Sequence, residues 1–118
     1  MNKIIRALML TMICTCCAGS KVAGEAVRTI EIHAHRYTFT PSEITVRKGE
    51  TVKLSVYSDD VPHSLLIKDV GINLPVVKGK PAQTTFTPQK AGDFIGECGR
   101  FCGSGHGKMK LTLHVTEN

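Results

Sequence analysis

Residues 43–57 read EITVRKGETVKLSVY, two short alternating segments on either side of Lys48-Gly49-Glu50. Ile44 and Val46 alternate with Glu43 and Thr45 before the turn, and Val52, Leu54 and Val56 alternate with Lys53, Ser55 and Tyr57 after it. A period of two is the mark of a strand with one face buried and one wet. The same pattern extends outward. Upstream, Thr29 to Phe39 puts Ile30, Ile32 and Ala34 on one face and Glu31, His33 and His35 on the other, until Pro41-Ser42 interrupts it. Downstream, Ser64–Ile67, Thr84–Phe86, Asp93–Ile95 and Lys110–Val115 are further short runs bounded by Gly, Pro and Asp turns. No stretch sustains a 3.6-residue period, and there are no repeats or low-complexity tracts. The expectation is an all-β protein, an antiparallel sandwich or barrel.

The 118-residue chain opens differently from the way it continues. Lys3 and Arg6 precede the apolar run from Ala7 to Cys14, and small residues follow; this is the grammar of a secretory leader. The run is about 12 residues when extended to Ala18, short of the roughly 20 a membrane-spanning helix requires. Residues 1–24 are therefore read as a leader, cut after Ala18 or Gly24, and residues 25–118 as one domain. The cysteines Cys14, Cys16 and Cys17 raise lipidation as an alternative, although Ile13 is a poor residue before a lipidated cysteine. Loss of Lys3, Arg6 and Lys21 with the leader leaves 12 of the 15 basic residues against all 10 acidic ones, so the net charge falls from +5 to +2. No Lys/Arg cluster interleaved with aromatics remains to suggest nucleic acid. The expected location is outside the cytoplasm, periplasmic or attached to the envelope, with no membrane span in the mature chain.

Near the C-terminus the run GECGRFCGSGHGKM places Cys98, Cys102, His106 and Met109 in a CxxxCxxxHxxM array, and Pro62-His63-Ser64 supplies a histidine upstream. Without the leader, the only two cysteines and the only methionine lie in this array. Thiolates, imidazoles and a thioether suit a soft metal, copper above all. Gly99, Gly103, Gly105 and Gly107 would each cost a helix about 1 kcal/mol relative to alanine, so the array belongs on a loop. One Cys, two His and a Met would make a mononuclear site. The second Cys allows two thiolates to bridge two ions, each with one imidazole from His63 or His106 and one weak donor. Met109 can be one such donor and a backbone carbonyl between the cysteines, most simply that of Arg100, the other. Such a site leaves no open position for substrate and suits single-electron transfer.

These residues, with Asp59-Asp60-Val61-Pro62-His63-Ser64 upstream, resemble the binuclear CuA domain of cytochrome c oxidase subunit II, a type also used by nitrous oxide reductase. FTPSEITVRKGETVKLSVYS, residues 39–58, resembles the opening strands of cupredoxins. The resemblance covers roughly Ile30 to Val115. It implies a cupredoxin-like Greek-key sandwich carrying two copper ions on His63, Cys98, the Arg100 carbonyl, Cys102, His106 and Met109. Asp60 stands where the family often has an acid that steadies the ligand region. By the same resemblance the chain passes single electrons between redox partners and has no catalytic residue of its own. The partners would be a small c-type cytochrome or cupredoxin, or a terminal oxidase or reductase. Four departures are visible. The subunit usually has a membrane hairpin before this domain, Arg100 replaces a magnesium-binding glutamate, there is no Trp to receive electrons, and Leu65 stands where an aromatic is common. A soluble, monomeric carrier is the resulting expectation.

Rival readings of the array are a Cys98–Cys102 disulfide, a zinc site, a mononuclear blue site, a truncated oxidase subunit, and a copper chaperone or assembly factor. A disulfide leaves His63, His106 and Met109 without a role, and zinc has no use for Met109. His33 and His35 share a strand face and could hold a metal, but read better as a solvent-facing pair. His114 reads as a surface residue of the last strand. Phe101, His106 and Lys108 form a candidate docking patch, because the ligand loop should protrude from one end of the sandwich.

Overall fold

The structure, a computed structural model, describes residues 27–117. The expected leader, residues 1–24, lies outside the described residues. Nine strands follow one another: β1 (Arg28–His35), β2 (Thr38–Thr40), β3 (Glu43–Arg47), β4 (Val52–Ser58), β5 (His63–Ile67), β6 (Ile72–Val76), β7 (Ala82–Phe86), β8 (Gly92–Cys98) and β9 (Lys110–Thr116). They form two sheets, in the orders β2-β1-β4-β7 and β3-β9-β8-β5-β6. The alternation read from the sequence is the burial pattern observed. Ile32, Ala34, Phe39, Val52, Leu54 and Val56 of the first sheet are buried, as are Ile44, Val46, Leu65, Ile67, Leu111 and Leu113 of the second. Burying such a side chain contributes about 1.5–3 kcal/mol, which is why a one-residue slip of any strand is strongly disfavoured.

The all-β sandwich is as expected, with three differences in detail. First, Thr29 to Phe39 is not one strand. The chain doubles back at Arg36-Tyr37, and β1 and β2 pair antiparallel with His35 opposite Thr38. The alternation survives because a two-residue turn keeps Ala34 and Phe39 paired on the buried face. Second, β6 did not show in the sequence. It contains Pro75, which cannot donate to a ladder, and it is tolerated because β6 is the edge of its sheet. Third, the pairings of β1 with β4 and of β3 with β9 are parallel, while the other five are antiparallel. After β2 the chain crosses to the second sheet for β3. It then returns beside β1 as β4, running the same way.

No helix among the described residues is long and apolar enough to cross a membrane. The only helical pieces among them are 3-10 turns at Lys68–Val70 and His106–Lys108.

Candidate metal centre

Three strands of the second sheet end at one place. His63 is the first residue of β5, Cys98 the last of β8, and Met109 immediately precedes β9. Backbone bonds fix their spacing: Cys98 N–H donates to the Met109 carbonyl at 3.2 Å, and Gly99 N–H to the Ser64 carbonyl at 3.0 Å. Between Cys98 and Met109 the chain makes the expected glycine-rich loop, whose last turn is the 3-10 turn holding His106. The loop is tied internally by His106 N–H to the Gly103 carbonyl and Lys108 N–H to the Gly105 carbonyl.

The six expected donors meet here. The Cys98 and Cys102 sulfurs stand 3.5 Å apart as two free, buried thiols, far beyond the about 2.05 Å of a disulfide. His63 Nδ1 lies 3.8 Å from Cys98 Sγ, and His106 Nδ1 lies 3.7 Å from Cys102 Sγ. The Arg100 carbonyl is 3.0 Å from Cys98 Sγ, and Met109 Sδ is 3.9 Å from Cys102 Sγ. Each thiol thus has its own imidazole and its own weak donor. Donor atoms of His63, Cys98 and Cys102 all fall within 4.8 Å of one another. His63 and Met109 are fully buried, and both cysteines nearly so. Burial, followed by the hydrogen bond with Cys98, pushes the Cys102 thiol up to about 11. A largely buried, mostly soft donor set with no disulfide between its sulfurs fits copper better than a structural role.

Two groups outside the array hold it in place. Asp60 Oδ1 lies 2.7 Å from His63 Nε2, so the carboxylate takes the far ring nitrogen and leaves Nδ1 facing Cys98. That arrangement fixes the tautomer and orientation of an imidazole ligand. Partial burial alone would raise the Asp60 carboxyl, but hydrogen bonds from Arg36 N–H, the His63 ring and Val61 N–H together outweigh it and hold the group at about 2. The second support is the β1–β2 turn, which sequence reasoning missed. Arg36 N–H donates to Asp60 Oδ2 at 2.8 Å, while its Nε donates to the Cys102 carbonyl at 3.1 Å. One residue of the first sheet thereby links the His63 side of the site to the ligand loop. Next to it, the Tyr37 ring lies on Gly103 and Gly105, and its hydroxyl is 3.4 Å from Ser104 Oγ. A Cβ at Gly105 would overlap that ring, and Gly103 also has a φ of 139° that other residues rarely adopt. Nothing local in the sequence marks Arg36-Tyr37, since the turn lacks the Gly or Asn that usually betrays one.

The remaining candidates fall elsewhere. Phe101 is 77% exposed, its ring centroid 5.7 Å from that of His106, and Lys108 is exposed on the same turn. His33 and His35 stand on the outer face of β1, with Nδ1 atoms 3.0 and 3.8 Å from the two Asp59 oxygens, and His33 stacks on Tyr57. They are partly exposed and lie beside the Asp59 carboxylate, as a solvent-facing pair should. His114 lies on the outer face of β9 between Asp93 and Glu43.

A two-sheet sandwich with two thiols, two imidazoles and a thioether gathered at one end is the architecture of a cupredoxin-like domain. The chain belongs to that family, whose sequence model matches residues 6–111. Within it, the similarity extends to subunit II of cytochrome c oxidase. Two curated Thermus thermophilus proteins named cytochrome c oxidase subunit 2 are each 28% identical over 89 residues, which is 75% of this chain. The match spans 66% of the length of one and 53% of the other, so the chain covers only about half to two thirds of these relatives. The crystal structure of the periplasmic domain of cytochrome oxidase subunit II from Bradyrhizobium japonicum shares the fold, with a TM-score of 0.72 at 21% identity. It aligns over 80% of this chain and 87% of that one.

Proposed function

We propose that the chain is a copper-dependent electron carrier whose site is a binuclear centre of the CuA type. The observation that carries this reading is the symmetry of the donors: two unbonded thiols 3.5 Å apart, each flanked by a separate imidazole nitrogen and a separate weak donor. A mononuclear site would leave one thiol idle in a buried position. The residues that would hold the metal are His63 and His106 through Nδ1, Cys98 and Cys102 through their sulfurs, Arg100 through its carbonyl and Met109 through Sδ. Copper bound there supplies a one-electron couple, accepting and releasing electrons singly. The protein's own contribution is to keep the donors still. Asp60 holds the far nitrogen of His63, Arg36 ties Asp60 to the Cys102 carbonyl, and both sulfurs are buried. With these donors turned toward one another at the buried end of the sandwich, the arrangement suits transfer of single electrons.

The reading of residues 1–24 as a secretory leader and residues 25–118 as the working domain supports a location outside the cytoplasm, as does the similarity to a periplasmic domain. Its electron partners are proposed to be a small c-type cytochrome or cupredoxin, or a terminal oxidase, met through the loop end of the sandwich. Titration of the reduced, purified chain with copper tests the reading. Saturation at two ions per chain with a purple, mixed-valent spectrum is expected, and replacing either Cys98 or Cys102 by Ser should abolish it. Saturation at one ion with a blue spectrum refutes it. Rapid surrender of the metal to a weak chelator would favour a chaperone instead.

A further inference from the structure

The loop end of the sandwich combines exposed apolar surface with a cavity lined by arginine. Phe101 is the most exposed large hydrophobic residue among those described, at 77%. Beside it a shallow cavity of about 260 Å³ is walled by Arg36, Val61, Pro62, Arg100 and Phe101, and reaches Cys102. Two guanidinium residues line it and no carboxylate does. Lys108 is exposed on the turn of His106, whose ring lies against Phe101. Among the described residues, Arg100 and Lys108 make no ion pair. Three acidic groups stand near this end: Asp59 lies against His33 and His35 on the outer face of β1, Asp60 is turned to Arg36 N–H, Val61 N–H and His63, and Glu97 is paired with Lys110 Nζ at 2.9 Å. An exposed aromatic against a cavity is the kind of centre that carries an interface, and a rim of one sign selects partners and speeds encounter.

We infer that this end docks a redox protein whose own face carries carboxylates around an apolar spot. Phe101 covers that spot, while Arg36, Arg100 and Lys108 meet the carboxylates. The inference rests on the electron-transfer reading above and adds to it the charge of the partner. Contact here leaves only the ligand loop between the partner and the two thiols, since Phe101 lies between Cys98 and Cys102 in sequence.

Stopped-flow oxidation of the reduced, copper-loaded chain tests this. Hexacyanoferrate(III) takes one electron and becomes hexacyanoferrate(II), and tris(phenanthroline)cobalt(III) takes one and becomes the cobalt(II) complex. The rate with the anionic oxidant should fall as ionic strength rises, and the rate with the cationic one should rise. Lys108→Glu should slow the anionic reaction on the order of tenfold at low salt. Lys90→Glu makes the same charge change beyond the far end of β8, about 20 Å away along a seven-residue strand, and should have little effect. With a small acidic c-type cytochrome as acceptor, Lys108→Glu and Phe101→Ala should each slow exchange several-fold while metal content and visible spectrum stay unchanged. Equal effects of Lys90→Glu and Lys108→Glu, salt-independent rates, or faster exchange with a basic cytochrome would overturn the inference. A chain that takes up no second copper overturns the underlying reading and this one with it, and metal analysis shows that before any rate is measured.

Discussion

Substituting Gly105 by alanine tests how the ligand loop is held. Gly105 has a φ of −92°, which alanine adopts freely, so no backbone strain enters. Removing a glycine from a compatible position should by itself stabilise by about 0.4–1 kcal/mol, through the unfolded chain. Here the added Cβ would overlap Cγ, Cδ2 and Cε2 of Tyr37. Because Cγ is the root of the ring, the whole side chain or the loop has to move. Overpacking of this kind costs about 1–3 kcal/mol, so the net expectation is a loss of about 0.5–2 kcal/mol. In a Tyr37→Ala background the obstacle is gone, and the same substitution should be neutral or stabilising. The two changes should therefore couple by more than about 1 kcal/mol. Urea unfolding of the reduced, metal-free chain measures all four corners of the cycle, with a constant denaturant slope as the check that the folded state is comparable. Gly105→Ala at wild-type stability, or an equal cost in both backgrounds, would show that the ring does not brace the loop. Gly103 is the poorer probe, because its φ of 139° would penalise any side chain whatever Tyr37 did.

Asp60→Ala should lower stability by about 2–3 kcal/mol, since it strands the buried His63 Nε2 together with two backbone N–H groups. It should also weaken copper retention by about 10–100-fold in a chelator competition. Asp60→Asn, which keeps an acceptor oxygen, should fall between; retention unchanged in both variants would remove the carboxylate from the scheme. His114 supplies the pH dependence. Hydrogen bonding to Asp93, opposed by slight desolvation and aided by Glu43, raises its pKa above 6.5. Its stabilising contribution is therefore complete below about pH 6.5 and is lost as pH rises through the higher folded value. In His114→Gln the fall in unfolding midpoint between about pH 6 and 8, below the range of the thiols, should be smaller than in the wild type, and an unchanged fall would assign the effect to another group.

Most of the fold was legible because it depends on which residues alternate. Val52, Leu54 and Val56 or Leu111, Leu113 and Val115 can satisfy burial only as strands with one face inward. What alternation cannot report is where a strand reverses. His35 to Thr38 kept its parity across a two-residue turn, so one strand and a tight hairpin looked alike. Pro75 hid β6 for a different reason: a proline argues against a strand unless the strand is at an edge, and edges are set by tertiary order. The site divides in the same way. The five side chains gathered there were readable because thiols, imidazoles and a thioether are rare and lay close together in the chain, with His63 alone needing the fold to join them. Arg36 and Tyr37 were not readable, since an arginine and a tyrosine on a strand read as ordinary surface residues. Only the fold, which sets the β1–β2 turn against the ligand loop, gives them their contacts.

The placement of the donors also explains how a short, glycine-rich loop can serve a site that should not move. Taken alone, residues 99–109 have few apolar side chains and would be expected to fluctuate. Their ends, however, are strand ends: Cys98 and Met109 are joined by a backbone bond at the close of the β8–β9 hairpin, and Gly99 is bonded to the strand that begins with His63. Separations among His63, Cys98 and Met109 therefore follow from sheet register, and changing them means breaking ladder bonds. Cys102 and His106 lack that support and receive it from the opposite sheet, through the Arg36 bond to the Cys102 carbonyl and the Tyr37 ring on the glycines. An electron carrier gains from this division, because every atom that shifts between oxidation states adds to the barrier. The glycines permit the tight path around the sulfurs, and the two sheets supply the stiffness that glycine lacks.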